Sequence, residues 1–485
     1  MNKRTIASAL AALIIVATLT AQDQNLINRL EKHVTILASD SLGGRGFGFP
    51  EQQMAVDYIL DQYENSGFAT LGGNYRHPFV HLGANSPIEG DNIIGIIEGS
   101  DPELKNEYVV LGAHYDHLGW KIKDGKKIVY NGADDNASGV ATIIEIGKIL
   151  MSKRAELKRS VVIVAFDGEE SGLIGSEAFA SQKIVDLAKI KVMFSIDMVG
   201  MFSENKGVDV NGFNSIKDGE KLVSEVAARE MVNVGKTANH IEMRTDTWSF
   251  GRRNIPAIYI ATGSHSPYHK PEDDSNLLDY EGMSQVVKLI SSISSELAVM
   301  ETIDANHRFI NRSVNPRLVA GWTVSAGTNR HIYNSKFYNS KSVIAFETGI
   351  TAQLKISKTF ALQPALTYEM TGSNADAGKF QMHSFSPQID LLLTTPSYDL
   401  SRPTGFISIG GFYRHNFKAT RSGSSFDFSS QYATDENGLK LGAGLYYMKI
   451  QLSYNYKYGL SKINRDDTDG SIYNRGSYMS FVKFF

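Results

Sequence analysis

Cysteine is absent from this 485-residue sequence, which excludes disulfide scaffolds, thiol nucleophiles, Cys-ligated zinc or iron–sulfur sites and the lipid-modified cysteine of a lipoprotein. Any bound metal must rest on histidine, aspartate and glutamate. An excess of either charge is also missing. The 49 Lys plus Arg against 52 Asp plus Glu leave a formal charge of -3, so neither a nucleic-acid partner nor a solvating acidic tail is expected. Acidic residues become scarce late in the chain, with only 11 of the 52 lying after residue 305, whereas 27 aromatics fall after residue 309 against 22 in residues 1–309. Two differently built halves therefore meet near residue 305. The 42% hydrophobic and 21% charged content suits globular domains, two or three at this length.

Residues 1–21 read as a signal peptide. Lys3 and Arg4 precede a weakly polar to apolar run from Ile6 to Ala17, and Thr-Leu-Thr-Ala offers a cleavage point before Gln22. The run is shorter than the roughly 20 residues a spanning helix needs, so export with cleavage is expected over a membrane anchor.

Residues 22–305 alternate helical and strand patterns. Gln24 to Leu37, Glu51 to Asn65, Gly139 to Arg154 and Gly219 to Val232 read as helices, with a Gly-rich break from Gly43 to Gly48. Tyr108 to Ala113, Val161 to Phe166, Val192 to Ile196 and Ala257 to Ile260 read as buried strands. Continuous apolar strands between helices predict an α/β domain with a mostly parallel sheet covered on both faces. Polar residues follow those strands: His114 and Asp116, then Asp167, Glu169 and Glu170, then Asp197, and after the fourth strand Thr262, His265 and His269. Ligands of open α/β sheets bind beyond the carboxyl ends of the strands. The loop GADDNASG adds Asp134 and Asp135 just before a helix. A cluster of imidazoles and carboxylates without thiols suits a divalent metal, zinc first.

Five ordered motifs, AHYDH at 113–117, GADDNASG at 132–139, FDGEESGLIGS at 166–176, SIDMVG at 195–200 and YHKPEDD at 268–274, resemble the M28 family of zinc aminopeptidases and glutamate carboxypeptidases over about residues 25–302. The resemblance implies two Zn2+ per chain. His114 and Asp197 would hold one, Glu170 and His269 the other, and Asp135, four residues before Gly139, would bridge them. It also implies Asp116 as the group that orients His114, Glu169 as the proton shuttle and Tyr268 as a candidate donor to an oxyanion. Asp134 is expected to cap or orient, Asp273 to orient His269, and His117 and His265 to be hydrogen-bonded loop histidines. Where the family often has Ser-Asp-His, this chain has Thr245, Asp246 and Thr247, which touches the pocket wall and leaves substrate choice open.

Residues 306–485 read differently. Even positions from Ile344 to Ile356, and the runs Phe360 to Met370 and Ile450 to Leu460, place apolar and aromatic residues on one face and polar ones on the other. Segments near 317–328, 342–356, 359–371, 379–394, 404–417, 437–446, 448–461 and 473–485 show this period of two, and the chain ends in Phe484-Phe485. This resembles a small eight-stranded outer-membrane β-barrel, antiparallel and all-β, in preference to a soluble sandwich. Such a barrel is filled by its own side chains, so an anchor rather than a pore is expected, with Glu347, Glu369, Lys355 and Lys457 paired inside.

The sequence thus predicts an exported di-zinc exopeptidase, an aminopeptidase first, held by outer-membrane lipid, with the peptidase facing the periplasm and peptides as substrates; no protein partner is read from it. A glutamate-carboxypeptidase-like enzyme, a zinc glutaminyl cyclase with one metal, and a binding or structural protein with an inactive peptidase domain are the alternatives.

Overall fold

The computed structural model describes residues 23–485 apart from 84–85, 183, 239, 315, 334–339, 358, 376–377, 396–402, 448 and 467–469. The signal-peptide segment lies outside the described residues. Two compact units divide after Val314.

The first unit opens with helix α1 (23–37) and α2 (Gln52–Asn65), then strands β1 (Ala69–Thr70), β2 (Arg76–Leu82), β3 (Pro87–Ile97) and β4 (Tyr108–His114) and a small hairpin of β5 (Trp120–Lys123) and β6 (Lys126–Val129). There follow α3 (Gly139–Ser152), β7 (Ser160–Phe166), α4 (Ile174–Gln182), β8 (Ile190–Ile196), α5 (Phe202–Asn205), β9 (Asp209–Asn211), α6 (Gly219–Glu230), α7 (Thr247–Gly251), β10 (Ala257–Ala261), α8 (Tyr280–Val299) and α9 (His307–Val314). The main sheet runs β1-β3-β7-β4-β8-β10-β9, with β2 added on β3.

Only its centre, β7-β4-β8-β10, is parallel; β1, β2, β3 and β9 pair antiparallel. The sheet is therefore mixed rather than mostly parallel. The central strands are buried on both faces and read as unbroken apolar runs, every residue of β7 being buried. The antiparallel strands include polar and glycine positions, among them Glu89, Gly90 and Asp91 of β3, that hide the pattern. One core cluster packs α1, α2, α3 and α8 through Leu30, Ile59, Ile143 and Leu289, and a second packs Phe166, Phe179 and Phe250. Burying each such side chain contributes about 1.5–3 kcal/mol. Helix α9 adds Phe309 and Ile310 to that second cluster, which carries the unit past residue 305 to Val314.

The second unit is a closed antiparallel meander of β11 (Leu318–Tyr333), β12 (Val343–Lys355), β13 (Phe360–Ala375), β14 (Gly378–Thr394), β15 (Thr404–Arg421), β17 (Asp435–Tyr447), β18 (Ile450–Gly459) and β19 (Ile472–Phe484), with a short β16 (Ser424–Phe426) on β15. Pairing of β19 with β11 closes the barrel. The alternation is inverted relative to a soluble protein. Ile350 and Leu366 are 66% and 51% exposed on the outside, while Glu369 and Lys457 are 0% and 1% exposed within. Lys457 Nζ contacts Glu347 Oε2 at 2.7 Å and Glu369 Oε1 at 2.6 Å, and Arg414 bridges Glu369 to Glu436. Lys440 pairs with Asp390 at 2.7 Å. Low-dielectric burial makes each of these charges costly alone, and the shared partners offset that cost.

Among the described residues no helix is long and apolar enough to cross a membrane, which says nothing of the strands.

Candidate metal centre

The carboxyl ends of the parallel strands gather the polar groups. His114 is the last residue of β4, Asp167 to Glu170 follow β7, Asp197 follows β8, and His269 stands in the loop after β10. Asp135 comes from the turn Ala133–Ser138 that opens α3.

Asp135 divides its two oxygens between neighbours. Its Oδ1 lies 3.4 Å from His114 Nε2, which is also 3.4 Å from Asp197 Oδ1. Its Oδ2 lies 3.2 Å from His269 Nε2, which is 3.1 Å from Glu170 Oε2. The five residues expected as ligands therefore converge, as two sets sharing one carboxylate. His114, Asp135 and Asp197 form one compact donor group, and His117, Asp135 and Glu170 form another.

This donor set fits divalent metal. The buried His269 Nε2 and Asp197 Oδ1 have no hydrogen-bond partner although charged neighbours stand close. Near approach without hydrogen-bond geometry is what a shared cation between the groups would satisfy. Imidazole and carboxylate without thiolate are zinc donors. Burial raises the pKa of Asp197 and Glu170, with Asp135 adding to the rise in each; a cation relieves that repulsion.

The groups around the donors are held by backbone bonds. The Asp116 carboxylate accepts the N–H of Glu169 at 3.0 Å and of Glu170 at 3.2 Å. His114 Nδ1 lies 3.1 Å from the Asp116 carbonyl and 3.5 Å from its carboxylate. Asp116 thus fixes the base and ligand loop as well as standing beside His114. Asp134 turns away, accepting the Gly200 N–H at 2.8 Å. Asp273, expected against His269, instead accepts the backbone N–H groups of Asp134 and Asp135 at 3.1 Å each. It shapes the bridging turn, because two adjacent N–H groups there point at one carboxylate.

Glu169 is half-buried beside the donors. Burial raises its pKa well above the ordinary carboxylate range, with Asp246, Asp197 and Asp116 adding to it against His114. That direction suits a proton acceptor working near neutral pH. Tyr268 stacks its ring on His269, with centroids 3.8 Å apart and planes at 22°, and is 47% exposed; it braces a ligand ring at the cleft mouth.

His117, expected as a hydrogen-bonded loop histidine, and Asp246, expected at the pocket wall, both stand close to the donors. His117 Nδ1 lies 2.8 Å from Glu170 Oε1, so the loop histidine is a neighbour of the second donor set. Its position three residues after His114 was the available signal. His265 lies by Asn205, at 3.3 Å, away from the donors. Asp246, at the start of α7, is buried, and neither oxygen has a hydrogen-bond partner. Burial raises its pKa to about 7. Thr245 and Thr247 hydrogen-bond each other beside it at 2.7 Å.

Residues 92–294, which enclose all five donors, match the model of Peptidase family M28. A probable leucine aminopeptidase of Arthroderma benhamiae is 28% identical over 211 residues, covering 41% of this chain and 54% of that protein. Leucine aminopeptidase 1 of Trichophyton rubrum is 26% identical over 309 residues, 60% of this chain and 77% of that one. The chain thus spans about half the length of the first of these relatives. Among solved structures, the glutaminyl cyclase of an Acidobacteriales bacterium is similar at 21% identity, covering 57% of this chain and 94% of that one with a TM-score of 0.47. Residues 92–294 of the first unit are thus similar to the metallopeptidases of peptidase family M28.

Proposed function

We propose that this chain is a di-zinc aminopeptidase whose second unit anchors it in an outer membrane. The observation that carries the enzymatic reading is the division of Asp135, one oxygen toward His114 and Asp197 and the other toward Glu170 and His269. Those residues would hold the two ions. Bound zinc would supply Lewis-acid polarisation of the scissile carbonyl and acidify an attacking water. Glu169 takes the proton of that water and passes it to the leaving amine nitrogen. Asp116 keeps Glu169 and Glu170 in place through their backbone N–H groups. Tyr268 and the Asp246 turn shape the cleft that receives the first residue of the peptide.

The anchoring reading is supported by the barrel's outward apolar girdle, which includes Trp322, Ile350, Leu366, Ile409 and Tyr454, and by the ionic network that fills its interior. A face of that kind suits lipid. A filled interior suits an anchor rather than a pore.

The test is an assay of the full chain, purified in detergent and loaded with Zn2+, on leucine amide, on its N-acetyl form, on an N-blocked peptide ending in glutamate, and on a peptide beginning with glutamine. About two zincs per chain and cleavage confined to the two substrates with a free amino end are expected. One zinc with ammonia release from the glutamine peptide would make it a cyclase, and cleavage of the glutamate-ending peptide a carboxypeptidase. Metal binding without turnover of any of them would leave a binding protein.

A further inference from the structure

Arg45 stands in the glycine-rich segment before α2 and is fully buried. Its guanidinium makes no ion pair among the described residues. Every bond it makes goes to a backbone carbonyl: Nε donates to Tyr115 O at 2.7 Å, Nη1 to Leu37 O and Asn131 O at 2.6 Å each, and Nη2 to Gly132 O at 2.8 Å. Those carbonyls belong to three segments. Tyr115 lies between His114 and Asp116, Asn131 and Gly132 lead into Asp135, and Leu37 ends α1. The Arg45 carbonyl in turn accepts the N–H of His117 at 3.1 Å. Asn131 continues the connection, its Nδ2 donating to Asp274 Oδ1 at 2.9 Å in the loop that carries His269.

The segment is built for this close approach. Gly44 has φ +67, and a Cβ there would lie 2.3 Å from Gly119 O and 2.4 Å from Tyr130 O. Arg45 itself has φ +48, a left-handed conformation that is costly for a non-glycine residue and persists only where the surroundings impose it. A planar fork with fixed donor directions is the side chain that reaches three segments at once, which an ammonium on a flexible stem does not reproduce. Burial lowers the Arg45 pKa to about 10, while the charges of Asp135, Asp273, Asp116 and Glu170 oppose that fall. The cation is thus retained at neutral pH beneath the acidic cluster.

We propose that Arg45 is the positioning residue of the metal centre, locking the His114 turn and the Asp135 turn at the separation the paired donors need. It touches neither substrate nor metal, and its effect passes through the backbone of the ligand-bearing turns. The proposal rests on the two-metal reading above.

The experiment compares the full chain in detergent with Arg45→Lys and Arg45→Ala. Competitive titration with Zn2+ alone, the visible spectrum of the Co2+-loaded protein, and circular dichroism of the metal-free form are the readouts. Arg45→Lys is expected to keep the metal-free fold yet bind zinc about 10–100-fold more weakly, the usual cost of losing a group that orients ligands, with an altered Co2+ spectrum. Methylguanidinium added to Arg45→Ala should restore zinc affinity and the native spectrum. Wild-type affinity and spectrum in Arg45→Lys would overturn the proposal, as would loss of the fold in both variants without rescue, which would make Arg45 a stability residue. A wild-type chain that binds no zinc would overturn the two-metal reading itself.

Discussion

The carboxylate of Asp116 accepts the backbone N–H of Glu169 at 3.0 Å while its main-chain carbonyl lies 3.1 Å from His114 Nδ1. One residue at the end of β4 thus ties a metal donor to the proton acceptor on a different strand connection. Removing the carboxylate frees the loop after β7 without deleting any donor.

That relationship separates two adjacent glutamates. Both are held by their N–H groups on the Asp116 carboxylate, but the Glu170 side chain faces His269 and His117 whereas that of Glu169 makes no such contact with either histidine. Glu169→Gln is expected to retain about two zincs and lose kcat by a factor on the order of 10² or more. Glu170→Gln is expected to lose metal as well. Metal analysis of both purified variants checks this, and equal metal loss would mean that the two roles are misassigned.

Asp134 and Asp135 are neighbours with different duties. Asp135→Asn weakens both donor sets, because each uses one of its oxygens. Asp134→Asn leaves metal content near that of the parent chain, since Asp134 is occupied with the Gly200 N–H. It costs stability instead, by about 1–3 kcal/mol for a disturbed buried hydrogen bond. The opposite pattern of metal loss would move the bridge to Asp134.

Much of this was legible from the chain. The four parallel strands announce themselves because burial on both faces forces continuous Val, Ile, Phe and Ala, and the barrel does so because outward-facing and interior positions alternate. The cluster of imidazoles and carboxylates follows from its place after those strands, and the choice of five donors within it from the resemblance of the motifs. The antiparallel strands β2, β3 and β9 did not announce themselves, because His77, Pro78 and His81 interrupt the first, Gly90 and Asp91 the second and Asn211 the third. Arg45 was hidden for a different reason: it works through backbone carbonyls, and no sequence pattern records which carbonyls a side chain will find. Asp273 carried a visible charge, but its partners are N–H groups of a turn whose geometry only the fold reveals.

Outside the cleft, Glu145 of α3 is fully buried and pairs with Arg29 at 2.8 Å, Lys148 at 2.9 Å and His33 at 3.0 Å, fastening α1 to α3. Burial alone would raise its pKa, but the bonds from His33, Arg29 and Lys148 outweigh it and hold the carboxylate at about 2 against an ordinary 4.5. A depressed carboxylate contributes stability that is complete above pH 4.5 and lost as the pH falls toward 2. The contribution is on the order of 2–3 kcal/mol at neutral pH. Glu145→Gln should therefore lower the Tm of the first unit at pH 6 and converge with the parent chain near pH 2. A Tm difference that stays constant across that range would show that the pairing carries no proton-linked stability.

The barrel sets an orientation. Gly321 near the start of β11 pairs with Phe484 at the end of β19, so both ends of the barrel share one rim. Strands on that rim are joined by few residues between Lys355 and Phe360 and between Tyr447 and Ile450 and by more between Thr394 and Thr404; on the other rim the joining stretches are longer from Tyr333 to Val343 and from Gly459 to Ile472 and short from Ala375 to Gly378. In outer-membrane barrels the short turns face the periplasm. On the proposed anchoring, a chain entering β11 from that side would have its first unit in the periplasm, where its substrates would be peptides already inside the envelope. An epitope inserted after Gln22 is expected to resist protease added to intact cells and to become accessible once the outer membrane is permeabilised. Cleavage on intact cells would reverse the orientation, and recovery of the full chain in the soluble fraction would remove the membrane from the account altogether.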